Sequence, residues 1–587
     1  MRTGIALQLG FCSLCLTLAL LGEGMGEVIA DPAPVDCVWS RWSPWSSCDP
    51  CSQSRRRSRG VEVFGQFDGQ ACQGSLGERE YCVANTQCPV PPAPECQDSE
   101  FQCESGTCVK KRLMCNGDYD CEDGADEDCD PLRRPCGTVQ LDNNEQGRTA
   151  GYGVNILGAE PRMNPFYNDY FNGRCDRVRN PTTGRYDRLP WNVGVLSYQT
   201  LVEETVSREI YEQKDTLLRE MLTEVNFNID VGLSFKFTPT EKSLSNATIN
   251  AGADFGYGKK EIIKKVTEYS NIKNKSFMRV KGKVQLSTYR MRSRDLKVAD
   301  EFLVHVQSLP LVYEKGIYFA FLEDYGTHYT RNGKSGGEYD LVYILNQDTI
   351  KARNLTERTI QDCVKLGINA GVDLPSGSGG KGSVKLDHCK PVTTKDEASR
   401  EGKAVVDQVM TSVKGGTIQA AAAMNAKLNK EGVMDVATFQ QWAASIPDVP
   451  ALLTSEPEPI HMLVPLTMPD ANTRISNLKQ ATTEYVAEYN ICKCKPCQNG
   501  GTLTLLDGRC VCLCPLLFEG KACQNFKSDK AGHQTGQRPP VVHEGNWSCW
   551  SSWTGCTSGT RSRTRYCKKD GVEGATCRGD DSSQDYC

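Results

Sequence analysis

The chain has 587 residues, 30 of them cysteine, and a formal net charge of −5. That length exceeds what one compact core organises, so several domains are expected. Near-neutral charge, with no domain-sized basic stretch, excludes a bulk nucleic-acid binder, and no nucleic acid is expected among the partners.

Residues 1–30 read as a secretory signal peptide and a short N-terminal segment. Arg2 supplies the positive end, an apolar stretch runs from about Ile5 to Leu21, and Val28-Ile29-Ala30 is one candidate cleavage site. The stretch is short for a spanning helix, and no other run of about 20 apolar residues occurs. The mature chain is therefore expected to be secreted and to lack a transmembrane helix. Cys12 and Cys15 fall in the leader, which leaves an even number. The remaining cysteines gather towards the two ends, and positions 176–362 contain none. Small stapled modules flanking one conventionally packed domain are the expectation.

Residues 36–89 hold six cysteines, Cys37, Cys48, Cys51, Cys72, Cys82 and Cys88. They also hold Trp39-x-x-Trp42-x-x-Trp45 followed by Arg55, Arg57 and Arg59. Residues 545–587 repeat the pattern with Trp547, Trp550 and Trp553, then Arg561, Arg563 and Arg565. Arginines at alternate positions share one face of a strand. They suit either a solvated basic strand, with heparin binding as a variant, or interleaving with the tryptophans as cation–π pairs. Both segments resemble the thrombospondin type 1 repeat, which implies the interleaved ladder. The resemblance also makes Trp39, Trp42, Trp547 and Trp550 candidate mannose acceptors.

Residues 95–130 carry six more cysteines and an acidic run, Asn116-Gly-Asp-Tyr-Asp-Cys-Glu-Asp-Gly-Ala-Asp-Glu-Asp128. Clustered carboxylates and carbonyls are what calcium takes, although an acidic surface loop reads similarly. The cysteine spacing resembles the low-density-lipoprotein-receptor class A repeat. That resemblance implies a structural calcium ion held by the side chains of Asn116, Asp120, Asp126 and Glu127 and the carbonyls of Leu113 and Asp118. Asn116 stands where the family usually has Asp, and Leu113 where Trp is common.

Residues 132–491 form the cysteine-poor body. Two helical patterns are expected, at about Val206–Val225 and Ala398–Lys414, and strands elsewhere make the body α+β. Phe227, Ile229, Val231, Leu233 and Phe235 alternate with polar or small residues between Asn226 and Phe237. Ile249, Ala251, Ala253 and Phe255 do so between Ala247 and Gly258. Val364, Leu366, Ile368 and Val372 follow the same rule between Val364 and Leu374, and a shorter run holds Val384 and Leu386. Cys363 and Cys389 bracket this second pair and could bridge its base. Runs of this length match the roughly 9–11 residues of a tilted membrane strand. On periodicity alone, half-buried strands of a soluble sheet fit equally well.

The stretch Tyr318-Phe-Ala-Phe-Leu-Glu-Asp-Tyr325-Gly326-Thr327-His328-Tyr329 resembles the membrane-attack-complex/perforin signature. His328 has no nucleophile motif beside it and reads as a packing residue. Gly333-Lys-Ser-Gly-Gly337 satisfies a hydrolase-elbow pattern, but the following Glu338–Leu345 reads as a strand, so no enzyme is expected. The resemblance implies a bent antiparallel sheet with two helical clusters that refold into β-hairpins, a multidomain protein whose flanking modules are disulfide-rich. It implies a Cys136–Cys175 bridge and gives the Gly415-Gly416 pair the place of a hinge.

Residues 492–524 resemble an epidermal-growth-factor module, implying the pairs Cys494–Cys510, Cys497–Cys512 and Cys514–Cys523. Cys492 is then left over, and the final repeat has five cysteines, so a Cys492–Cys549 bridge is expected. A polar linker covers 525–544. The module order resembles that of the terminal complement components. It implies a secreted pore-forming subunit whose partners are earlier terminal components, further copies of itself and target-membrane lipids. A chain that inserts and recruits the polymerising subunit is the alternative. Asn246, Asn274, Asn354 and Asn546 are glycosylation acceptors by pattern.

Overall fold

The computed structural model describes residues 29–88, 96–130, 133–137, 141–206, 210–226, 233–236, 259–268, 275–352, 354–358, 360, 406–431, 436–527, 545–569 and 574–587. Five strands carry the body: β1 (Val193–Val206), β2 (Lys275–Met291), β3 (His328–Asn346), β4 (Val406–Lys414) and β5 (Ala451–Pro459). β1 pairs with β2 and β2 with β3, all antiparallel. β3 then changes partner along its length. Its first half pairs with β5, ending at Gly336 opposite Ala451, and its second half with β4, starting at Glu338 opposite Lys414.

Helices pack on both faces. α1 (Lys214–Glu224) and α2 (Lys259–Glu268) lie in the connection from β1 to β2. α3 (Asp300–Ser308) and α4 (Lys315–Tyr325) connect β2 to β3, and α5 (Ile418–Glu431) and α6 (Val436–Ser445) connect β4 to β5. α7 (Ala471–Glu488) follows β5. Strand residues alternate between the faces. Tyr339, Leu341, Tyr343 and Leu345 pack against Met424, Phe439 and Trp442 of α5 and α6. Val342 and Ile344 point the other way, onto Leu217, Met221, Ile262 and Val266 of α1 and α2. Covering both faces is why Leu341–Leu345 is an unbroken apolar run rather than an alternating one.

Two helical expectations are corrected. Val206 ends strand β1, and the helix in that region is only Lys214–Glu224. Val406–Lys414, expected to be helical, is the strand β4. Its β-branched Val406, Val409, Thr411 and Val413 favour a strand, and its residues bury against β3 and against helices on both sides. Residues 398–405 lie outside the described residues.

The flanking modules are stapled by Cys37–Cys72, Cys48–Cys82, Cys51–Cys88, Cys96–Cys108, Cys103–Cys121 and Cys115–Cys129 before the body. Cys136–Cys175 lies at its start. Cys494–Cys510, Cys497–Cys512, Cys514–Cys523, Cys556–Cys587 and Cys567–Cys577 follow it. Cys492–Cys549 joins the growth-factor-like segment to the final repeat. Cys363 and Cys389 lie outside the described residues. In the first repeat Arg59 sits between Trp39 and Trp42 at 3.9 and 4.4 Å, and Arg57 between Trp42 and Trp45 at 4.7 and 4.6 Å. Arg565 and Arg563 interleave with Trp547, Trp550 and Trp553 in the same way. Arg55, Arg57 and Arg561 also pair with Glu80, Glu78 and Asp585, so stacked arginines take the place of a core.

Candidate functional site

The Tyr318–Tyr329 stretch is a structural joint. Helix α4 is buried from Tyr318 to Tyr325 and stops at Gly326, which has φ +86°. A Cβ there would stand 2.6 Å from the Val154 backbone nitrogen, so only glycine lets the helix turn into β3. Tyr318 Oη donates to the Pro310 carbonyl and accepts from Asn477 of α7, Tyr325 Oη meets His305 Nδ1 at 2.7 Å, and Tyr329 Oη donates to Glu458 of β5. Thr327 Oγ1 accepts from the Ile156 N–H and contacts His328 Nδ1 at 2.9 Å. Burial, aided by His461, holds the His328 imidazole down at about 4. Ser335 lies inside β3, bonded to Ser287 and Gln146, and is not on a strand-to-helix turn.

The alternating segments lie between strands that are neighbours in the sheet. Residues 207–274 connect β1 to β2, and 347–405 connect β3 to β4. Of the first set, Leu233 and Phe235 are described. Their strand runs parallel to Thr502–Leu506 of the growth-factor-like segment, and Phe235 is buried among α1 and α2. Phe227, Ile229, Val231, Ile249, Ala251, Ala253 and Phe255 lie outside the described residues. So do Val364, Leu366, Ile368, Val372, Val384 and Leu386, and the acceptors Asn246 and Asn274. Asn354 stands at φ +51° just after a short helix. The Asn546 amide donates to the carbonyls of Ile491 and Cys494, which makes it a tether between modules here.

Helix α1 is clamped by charges that the pattern of apolar residues did not reveal. Arg279 of β2, buried, reaches Asp340 of β3 at 2.5 Å, Glu224 at 2.8 Å and Glu220 at 3.2 Å. Lys281 adds a second pair to Glu224. Below them Lys236, just past the Leu233–Phe235 strand, lies buried 3.7 Å from Glu323 of α4, which also accepts from Tyr485. The growth-factor-like segment grips the same helix, since Asp215 accepts from the Cys514 N–H and Arg219 donates to the Leu513 carbonyl. In sequence the only trace is Glu220 and Glu224, four apart and so on one helix face.

Gly415 and Gly416, with φ +75° and +83°, follow β4 at the place where β3 exchanges β4 for β5. A Cβ on Gly415 would come within 2.5 Å of the Gly336 carbonyl, and one on Gly416 within 2.9 Å of the Trp442 ring. The backbones are in contact at this seam, which explains the Gly336-Gly337 pair facing it.

In the acidic module, Asp126 accepts from the N–H groups of Asp120 and Cys121, and Glu127 from those of Asn116 and Gly117. Asn116 donates to Asp120 Oδ2 at 2.8 Å. Asp120 Oδ1 is buried with no hydrogen-bond partner. Burial, with the charges of Asp118, Asp126 and Glu127, pushes the Asp120 carboxyl up to about 7. A buried carboxylate oxygen without a donor, among like charges, fits a hard cation. Leu113, which ends the 3-10 turn Lys111–Leu113, and Asp118 are both buried in this module. The Asp118 carboxylate turns away from it to Arg188.

An antiparallel sheet with helices in the connections between neighbouring strands, flanked by stapled modules, defines the class. The MAC/Perforin domain pattern matches residues 146–495, the low-density lipoprotein receptor class A pattern 94–130 and the thrombospondin type 1 pattern 40–88. The chain belongs to the MAC/Perforin family, and within it to the terminal complement components. It is 60% identical to complement component C9 of Oncorhynchus mykiss over 94% of this chain and 97% of that one. It is 31% identical to the complement component C8 alpha chain of Oryctolagus cuniculus, over 94% and 93%. Against the C8 beta chain of Rattus norvegicus the identity is 29%, over 94% and 90%.

Proposed function

We propose that this chain is the polymerising, pore-forming subunit of the complement membrane attack complex. It joins a membrane-bound nascent complex of earlier terminal components, adds to further copies of itself, and inserts two β-hairpins, 226–258 and 364–388, into target lipid. The observation that carries the reading is topological. Each alternating segment connects two strands that are already adjacent and antiparallel, so straightening it lengthens an existing hairpin without rethreading the chain. Single hairpins leave unpaired edges, so insertion requires many subunits closed into a barrel. Identity twice as high to C9 as to the C8 alpha chain favours the polymerising role over the recruiting one.

The protein is secreted, acts without catalysis, and uses calcium only to hold the class A module. Among the described residues no helix is long and apolar enough to cross a membrane. The test is dye release from liposomes carrying the preceding complement components. A cystine joining α2 to β4, which touch in this structure, should abolish release, and reduction should restore it. Release by the oxidised, locked protein would refute the mechanism.

A further inference from the structure

The first thrombospondin repeat, the growth-factor-like segment and helix α2 meet around a cavity of about 520 Å³. Phe64, Leu76, Ile263, Tyr489 and Val511 give it apolar walls. Its lining also carries Lys236, already paired with Glu323 of α4, and Lys260, Lys264 and Arg509, against one acid, Asp507. Lys264 and Arg509 are exposed, and neither has an ion pair or side-chain hydrogen bond among the described residues. An uncharged apolar ligand would leave these cations unused, and a small inorganic anion would leave the apolar walls bare. Together they match a molecule with an anionic head and a hydrocarbon tail. The volume lies within the roughly 300–1,000 Å³ of small-ligand pockets, which favours one tail over two.

We infer that this cavity binds a single-chain fatty-acid-like anion, its tail against Phe64, Ile263 and Val511 and its carboxylate at Lys264 and Arg509. The occupant ties α2 to two modules that flank the body. Where α2 is released during pore formation, which rests on the function proposed above, occupancy delays that release.

Binding is tested on the full-length secreted protein, independently of lysis, by titration calorimetry and thermal unfolding with dodecanoate below its micelle concentration. Dodecyltrimethylammonium and inorganic phosphate are the head-group and free-anion controls. Dodecanoate should bind one to one and raise Tm, and neither control should. Lys264→Glu with Arg509→Glu should weaken binding by at least about tenfold, the loss of one charge-assisted contact. Val511→Trp, which fills the cavity, should abolish binding. The charge-reversed pair lies on the surface, so the test survives if the filled cavity misfolds. Equal binding of the cationic amphiphile, or undiminished binding by the charge-reversed protein, overturns the inference.

Discussion

Arg188 of the body forks the carboxylate of Asp118 in the class A module, Nη1 to Oδ1 at 2.5 Å and Nη2 to Oδ2 at 2.8 Å, with both side chains buried. Its guanidinium also lies 4.1 Å from the centre of the Phe171 ring. Arg188→Ala leaves the Asp118 carboxylate buried and unpaired, which costs about 3–5 kcal/mol. The expected outcome is faster hydrogen exchange across the docking contacts, Tyr119 with Tyr167 and Arg112 with Asn172. Arg188→Lys keeps the charge but not the fork, and should fall between the two. Unchanged exchange in the alanine variant would show that the module docks by other contacts.

Chelation addresses the same module from its other side. The orphaned Asp120 Oδ1 has no protein donor to replace a lost cation. Removing calcium should therefore lower the module's melting temperature and speed exchange over residues 113–127 first. The central sheet should stay protected. Glu127→Gln should reproduce this in calcium-containing buffer. A calorimetric titration that detects no calcium uptake by the intact protein would refute the assignment.

The clamp on α1 makes a directional prediction. Glu220→Gln with Glu224→Gln removes two partly exposed acids and leaves Arg279 its pair with Asp340. Stability should drop by about 1–2 kcal/mol, the scale of hydrogen bonds to charged groups. Dye release by the assembled complex should start sooner, because the stored helix is held less tightly. Asp340→Asn strikes the buried member of the cluster and should cost more stability than the double change. A double variant that is less stable yet slower to release dye would contradict the clamp.

The seam glycines are tested by stability alone. Gly415→Ala places a methyl 2.5 Å from the Gly336 carbonyl at a φ of +75°. Backbone of β3 cannot yield as a flexible side chain would, so a loss of about 1–3 kcal/mol is expected. Gly500→Ala also has positive φ, but no atom lies within 4 Å of its added methyl, so it isolates the backbone contribution. Equal losses at the two sites would mean that the close approach contributes nothing.

What was legible in the sequence follows from range. The tryptophan–arginine ladders and module cysteines are local, and their spacing is their structure. The alternation of Leu233 with Phe235 is equally plain, but its partner lies 271 residues away in the strand Thr502–Leu506, to which no local pattern points. Val406–Lys414, expected to be helical, is a strand because its residues are β-branched at Val406, Val409, Thr411 and Val413 and because it pairs along β3, a partner that no local pattern names. Arg279 with Asp340 and Lys236 with Glu323 are buried charges whose partners the fold alone brings together. Charged residues in a sequence read as surface until a structure shows otherwise.

His328 sets the pH dependence of the joint between α4 and β3. Its ordinary value is 6.5, and burial, with the neighbouring His461, lowers it to about 4. The folded state thus binds fewer protons than the unfolded state between those values. Stability falls as pH drops from about 6.5 to 4, and is flat in this group below that. The full difference amounts to about 3 kcal/mol. His461, lowered by burial and then by Lys479, acts in the same direction, while Glu458 beside the joint is already paired with Tyr329 and Arg331. His328→Gln keeps a neutral polar group in place and removes the titration. Its unfolding free energy, measured by denaturant between pH 7 and 4, should fall less steeply than that of the unaltered protein. The slope is the readout, so an overall loss of stability in the variant does not obscure the result. Parallel curves would place the acid sensitivity in other groups.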